Sequence, residues 1–249
     1  MKKISKKQLV LLMKKADLGD PKSLHELAFY HQAGINVELN YAKALKLWKK
    51  AAKKNYGPAY FNLVSMYYNG LGVKTNYKQV YKYLLLSIKY NKKNSFKAYS
   101  CSFLAQKFYF DGLLKKRDVK KGLKYYKLAA EMNELTAQFN LATIYDKEYP
   151  KYLGIKKNNK TALNYHQMAV KKNFVPSMFR VALAYIRGEI VKKNSDNALD
   201  LFKRGIKIRN LDLLKSLGYD NDIVYKTSKL INIWKFKIRK VLKQQNLIN

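Results

Sequence analysis

Few residues of this chain have the side chains and spacing that catalysis or metal binding requires. Its three histidines are His25, His31 and His166, and no pair of them has metal-ligand spacing supported by carboxylates or cysteine. A single cysteine, Cys101, excludes an internal disulfide and a cysteine-based metal site. No residue has neighbours in the sequence that would activate it as a nucleophile. We therefore predict no catalytic residue, no metal, no cofactor and no enzymatic activity.

One glycine-containing segment, Gly70-Leu-Gly72-Val-Lys-Thr, superficially resembles a phosphate-binding loop. No strand is predicted before it, and glycine recurs in the same context at Gly34, Gly112 and Gly188. Glycine readily adopts the left-handed backbone conformation that ends many helices. The segment is therefore predicted to end a helix rather than to bind phosphate.

Composition favours long helices around a packed core. Hydrophobic residues make up 48% of the 249 residues, and there are four prolines and eleven glycines. The apolar run Leu9–Met13 is cut off by Lys14 and Lys15, so it is too short for a signal peptide. No run approaches the roughly 18 apolar residues of a membrane span. We therefore expect a cytoplasmic protein.

The spacing of small residues predicts five helices of similar design. Each small residue is followed four positions later by an apolar residue and eight positions later by a ring. These offsets place all three side chains on one helix face. The five sets are Ser23, Leu27 and His31; Ala59, Leu63 and Tyr67; Cys101, Ala105 and Tyr109; Ala137, Leu141 and Tyr145; and Ser177, Val181 and Tyr185.

A second amphipathic helix is predicted after each of these, beginning at an asparagine or aspartate that can cap it. The pairs repeat every 36 residues, apart from insertions of six residues near positions 91–99 and four near 147–152. Both insertions are predicted to lie between helices, where extra residues cost little stability. The predicted caps are Asn40, Asn76, Asp118, Asn158 and Asn194.

These residues resemble the Sel1-like repeat, a relative of the tetratricopeptide repeat. The likeness extends from about Ala16 to Asn210 and includes the second-helix segment Trp48-Lys-Lys-Ala51-Ala52. Val80 and Gly122 replace the usual alanine, so their units are expected to pack less tightly. The first-helix pattern is clearest in Ala59, Asn62, Leu63, Tyr67, Gly70, Gly72, Val73 and Asn76.

The resemblance implies an all-α fold, an α-solenoid with a right-handed superhelix of five helix–turn–helix repeats. Residues 1–20 are expected to form an N-terminal capping helix, and residues 211–249 a C-terminal capping region. The repeats themselves are expected at about residues 21–56, 57–92, 98–134, 135–174 and 175–210.

The resemblance also implies function as a scaffold or adaptor for a protein or peptide partner. By analogy with tetratricopeptide grooves, the third position after each small residue of the first helices would contact that partner. For the asparagines at this position, a structural hydrogen bond is an equally open interpretation. The predicted groove residues are Glu26, Asn62, Asn140 and Arg180.

The net charge of +35 would attract acidic proteins, nucleic acid or anionic membranes. Lysine accumulation through A+T-rich codons would produce the same charge without a partner. Residues 223–245 are predicted to form a basic amphipathic helix that either caps the last repeat or binds an anionic surface. An electrostatic binder of nucleic acid or membrane is therefore the alternative, less favoured function. The predicted basic surface consists of Lys226, Lys229, Lys235, Lys237, Arg239, Lys240 and Lys243.

Overall fold

A computed structural model describes residues 3–92, 95–114, 116–146, 154–188 and 190–207 of the chain. These residues form eleven α-helices and no strand, which confirms the predicted all-α fold. The helices are α1 (Lys6–Asp17), α2 (Pro21–Ala33), α3 (Tyr41–Lys53), α4 (Gly57–Asn69), α5 (Tyr77–Tyr90), α6 (Ser95–Leu104), α7 (Val119–Glu131), α8 (Leu135–Tyr145), α9 (Asn159–Val170), α10 (Val175–Arg187) and α11 (Ser195–Lys207).

The described helices divide into two compact units, with the boundary after Ala137 near the start of α8. In the first unit, α1 packs on α2, and each helix from α2 to α6 packs on the next one in the chain. In the second unit, α10 packs on both α9 and α11. Within each unit, helices therefore stack in chain order, as in a repeat fold.

The side chains predicted to form the repeat core are buried. The five small residues of the first helices are all at most 6% exposed. They allow close approach of neighbouring helices, while one large side chain from each second helix fills the wider space between them. These large buried side chains are Trp48, Leu84, Tyr126, His166 and Phe202.

The third hairpin departs from the regular design at both ends of its first helix. Helix α6 begins six residues before Cys101, whereas α2, α4, α8 and α10 begin two residues before their small residue. Four of the six inserted residues thus lengthen α6, and for them the prediction that the insertion lies between helices is wrong. At its other end, α6 continues as a π-helical segment over Ala105–Phe110.

This wider helical segment turns Phe110 into the space beside Gly122. A Cβ atom on Gly122 would lie 2.5 Å from Cε2 of Phe110. The phenyl ring is 6% exposed and stacks on Tyr126 with 5.3 Å between ring centroids. It therefore fills the volume that alanine or valine fills in the other hairpins. The expectation of looser packing at Gly122 is wrong for this reason.

The second helices begin at the predicted caps. Oδ1 of Asn76 accepts a hydrogen bond of 3.1 Å from the backbone N–H of Gln79. The other four caps each accept the same hydrogen bond from the residue three positions later. Each bond satisfies an N–H group that the helix itself leaves unpaired.

Replacing Asn76 by alanine is expected to lower the free energy of unfolding by about 1 kcal/mol, because the Gln79 N–H loses its acceptor. Asn76→Asp keeps an acceptor and adds negative charge at a helix N-terminus, so it is expected to be at least as stable as the natural protein. Urea denaturation followed by far-ultraviolet circular dichroism measures both variants. Equal losses in the two variants would show that this side chain does not act as a cap.

Candidate functional site

An apolar groove runs along α2. Aromatic and aliphatic side chains line it, contributed by α2, by the start of α3 and by the segments flanking α4, and its volume is about 740 Å³. A volume of this size accommodates several side chains of a peptide. The apolar lining residues are Phe29, Ala33, Ile35, Tyr41, Tyr56 and Leu71.

A second groove continues the first between α1 and the start of α2, with a volume of about 580 Å³. Its apolar side chains are Ile4, Leu11 and Leu12, and Leu11 is 53% exposed. Lys22 and Glu26 line both grooves. The two therefore adjoin along these side chains, and we call them together the α1–α2 groove.

Charges balance within the α1–α2 groove, although the chain as a whole is strongly basic. Lys15, Lys22, Asp20 and Glu26 line it. Asp20 accepts a 2.7 Å hydrogen bond from the backbone N–H of Ser23, and hydrogen bonds from Ser23 lower the pKa of its carboxyl group. Glu26 forms no ion pair with any described residue, so its carboxylate can pair with a cation from outside.

Asn62, one of the predicted groove residues, lies behind the groove wall. It is 7% exposed, and its side-chain Nδ2 is 2.7 Å from Nε2 of His25. Burial lowers the pKa of His25 to about 4, so its neutral imidazole accepts a hydrogen bond from the amide. Asn62 therefore orients His25, which does line the groove.

Aromatic contacts join the groove wall to the core. Trp48 is fully buried, and its ring centroid lies 5.5 Å from that of Phe29 and 6.4 Å from that of His25. The ring of Tyr56 lies 5.3 Å from His25 on the other side. Sequence reasoning did not single out Phe29, although it lies three positions after Glu26 and therefore on the same helix face.

The other two predicted groove residues belong to the second unit. Asn140 is half-buried on α8. Arg180 on α10 forms an ion pair with Asp146, with 3.2 Å between Nη1 and Oδ2. Beside this pair is a cavity of about 90 Å³, also lined by His166 and Asn159. The four predicted residues therefore do not form one site, and only Glu26 lines the α1–α2 groove.

His166 and Ser177 form a pair that the sequence did not reveal. Nδ1 of His166 lies 3.0 Å from Oγ of Ser177, the geometry that activates a serine nucleophile in some enzymes. Ser177 is fully buried, and no described carboxylate orients the imidazole through Nε2. A substrate cannot reach this hydroxyl, so the pair has a structural role in this conformation.

In the described ranges, no group of three histidine, cysteine or acidic residues lies close enough together to hold a metal ion. Cys101 is buried, and burial raises the pKa of its thiol to about 12, so it packs as a neutral small residue. None of the described helices is long and apolar enough to cross a membrane. The predicted basic surface, from Lys226 to Lys243, lies outside the described residues.

Stacked hairpins with small buried residues in the first helix and a capped second helix define a helical-repeat protein. The Sel1 repeat model matches residues 21–56, 57–89, 98–134, 135–174 and 175–207. The chain therefore belongs to the Sel1 repeat family. Sel1 repeat proteins generally serve as scaffolds for protein interactions and are typically non-catalytic.

Solved structures share this fold. The Sel1 repeat protein from Oxalobacter formigenes is 24% identical, with a TM-score of 0.63 over 80% of this chain and 75% of that one. The protein c5321, a protective antigen of uropathogenic Escherichia coli strains with an SLR fold, is 20% identical, with a TM-score of 0.52 over 94% of this chain and 59% of that one. This level of identity establishes the fold alone. No curated protein matches the sequence.

Proposed function

We propose that the protein is a non-catalytic scaffold that binds a peptide segment of a partner protein in the α1–α2 groove. The single observation that carries this proposal is that two grooves with apolar side chains adjoin on α2, where Lys22 and Glu26 line both. Monomeric proteins rarely leave large apolar surfaces such as these exposed unless they bind something.

The chemistry of the groove defines the segment that fits it. One half offers Ile4, Leu11 and Leu12, and the other offers Phe29 and Leu71, so apolar side chains bind at both ends. Glu26 lies at the junction and has no cationic partner among the described residues. The segment therefore carries one lysine or arginine between two groups of apolar side chains. This charge distinguishes it from the acidic partners that the net charge of the whole chain would attract.

Display of random twelve-residue peptides on phage, selected against the full-length chain, tests this proposal. Selected peptides are expected to share a basic residue flanked by apolar ones. Ala33 lines the groove and is exposed at the end of α2, so Ala33→Arg is expected to obstruct the groove without disturbing the core. This variant is expected to weaken binding of the selected peptide by at least about 30-fold, the effect of losing an interface hot spot.

Charge reversal at Glu26 tests whether the bound segment carries a basic residue opposite this carboxylate. Glu26→Arg is expected to weaken peptide binding about tenfold, because two like charges would then face each other. A peptide whose basic residue is replaced by glutamate is expected to regain affinity for this variant. Glu131→Arg makes the same charge change at an exposed position of α7 outside the groove, and it is expected to leave binding unchanged.

Two results would contradict the proposal. One is a selection that enriches no peptide family over an unrelated basic protein. The other is a selected peptide that binds the Ala33→Arg variant as tightly as the natural protein. Fluorescence anisotropy of a labelled peptide measures each affinity, and far-ultraviolet circular dichroism confirms that the variants are folded.

A further inference from the structure

The small cavity of the second unit contains buried polar atoms without partners. His166 is 4% exposed, and Ser177 bonds its Nδ1 atom. Its other ring nitrogen, Nε2, has no hydrogen-bond partner among the described residues, and neither has Oδ1 of Asn159. Both residues line the cavity. Buried polar atoms are nearly always hydrogen-bonded in native proteins, so two at one cavity point to a polar ligand there.

The imidazole of His166 can act as a neutral hydrogen-bond donor in this cavity. Burial, together with nearby Arg180, lowers the pKa of His166 to about 3, so the ring is neutral at physiological pH. When the hydroxyl of Ser177 donates to Nδ1, the ring proton resides on Nε2. The unpaired nitrogen is then an N–H group on the edge of the ring away from Ser177.

The charges around the cavity favour a monoanion. Arg180, Arg187 and Asp146 line it, and the Arg180–Asp146 ion pair is electrically neutral. Among the described residues that line the cavity, Arg187 therefore leaves one net positive charge. Asn159 is the first residue of α9, and the N-terminus of a helix adds partial positive charge. Asp146 would repel a dianion such as phosphate more strongly than a monoanion.

We propose that this cavity binds a carboxylate group. The donors are Nε2–H of His166 and the guanidinium of Arg187, and a half-turn of the Asn159 amide would bring its nitrogen to the place that Oδ1 occupies. A carboxylate is planar, carries a single negative charge and accepts several hydrogen bonds, and a cavity of about 90 Å³ admits such a small group. The carboxylate belongs either to a free small acid or to the end of a peptide chain. This site is distinct from the α1–α2 groove and does not depend on its function.

Imidazole NMR of the full-length protein tests the site directly. The chain has three histidines, so single substitutions of His25, His31 and His166 assign the spectrum. Sodium acetate is titrated into 15N-labelled protein at pH 7.5, with sodium chloride keeping the ionic strength constant. We expect His166 to be protonated on Nε2 and its resonance to shift saturably with acetate.

Two substitutions are expected to change acetate affinity in opposite directions. Arg187→Gln removes the unbalanced positive charge and is expected to weaken binding about tenfold. Asp146→Asn removes the carboxylate that competes for Arg180 and is expected to tighten binding severalfold. Arg204 on α11 forms an ion pair with Asp200 and does not line the cavity. Arg204→Gln therefore serves as a control that removes the same charge as Arg187→Gln, and it is expected to leave acetate affinity unchanged.

Further titrations distinguish the two sources of the carboxylate. An acetylated tripeptide with a free C-terminus is compared with the same peptide as its C-terminal amide. Binding of acetate and of the free-acid peptide would assign the site to chain ends, while binding of acetate alone would assign it to small acids. The proposal is overturned by a proton on Nδ1, by the absence of a saturable shift, by tighter binding of inorganic phosphate, or by equal losses in Arg187→Gln and Arg204→Gln.

Discussion

Lowering the pH from 7 to 5 is expected to reduce the free energy of unfolding by on the order of 2 kcal/mol for each of His25 and His166, or about 4 kcal/mol together. Burial also lowers the pKa of His31, which acts in the same direction. Burial lowers the pKa of His25 to about 4 and that of His166 to about 3. In the unfolded chain both groups return to a pKa near 6.5.

The sign follows from which state binds protons. Between pH 6.5 and pH 4, the unfolded chain takes up protons at these histidines while the folded protein does not, so acid favours unfolding. The stabilisation is fully present above pH 6.5 and is lost as the pH falls toward the folded pKa values. Carboxyl groups add little in this range, because those with lowered pKa, such as Asp20 and Asp118, are ionised in both states at pH 5.

Urea denaturation at several pH values, followed by circular dichroism, measures this dependence. His166→Gln keeps a side chain that can bond Ser177 but no longer titrates. It is expected to reduce the loss of stability between pH 6 and pH 5 by about 1 kcal/mol, whatever its stability at pH 7. An unchanged pH dependence in this variant, or a natural protein that gains stability on acidification, would contradict the assignment of His166 as a buried neutral group.

The features that the sequence predicted correctly depend on local rules. Helix caps such as Asn76 need only a polar side chain three positions before a free N–H group. Burial of Ala59 or Trp48 follows from helical spacing, which is readable because every unit repeats it. Regular hairpins of this kind were therefore predictable from residue types and offsets alone.

The features that the sequence did not reveal depend on contacts between elements. The π-helical segment places Phe110 in the space left by the missing side chain of Gly122, which lies twelve positions away on another helix. Asn36 has a positive φ of 62°, and its side chain exchanges hydrogen bonds of 2.8 and 3.2 Å with the backbone of Ile4. These bonds hold the segment before α1 against the first hairpin, and neither residue type suggests them.

The candidate sites show the same division. Glu26 was predicted from its position on α2, but the groove beside it depends on how α1, the start of α3 and the segments flanking α4 lie against that helix. His166 was predicted to pack as a ring, and it does, yet its bond to Ser177 and its unpaired Nε2 depend on how α9 meets α10. Periodicity identifies the face of a helix that is buried, whereas cavities are set by the relative placement of helices.

Replacing Gly72 by alanine is expected to lower the free energy of unfolding by about 3 kcal/mol or more, because backbone strain and a steric clash add. Gly72 has a φ of 65°, where a side chain is strained. A Cβ atom there would also lie 2.6 Å from the carbonyl carbon of Tyr41 and 2.8 Å from the nitrogen of Ala42. Both atoms belong to the first turn of α3, which Asn40 caps, so the backbone cannot easily retreat.

Gly154→Ala separates these two causes. Gly154 has the same φ of 65°, but a Cβ atom there would have no described atom within 4 Å. This variant is expected to lose only about 1–2 kcal/mol, the cost of the left-handed conformation for alanine. Urea denaturation of both proteins under identical conditions gives the difference, which measures how firmly the loop after α4 rests on α3. Equal losses would mean that this loop moves away from Tyr41 at little cost, and the groove wall that Leu71 and Tyr41 share would then be pliable rather than preformed.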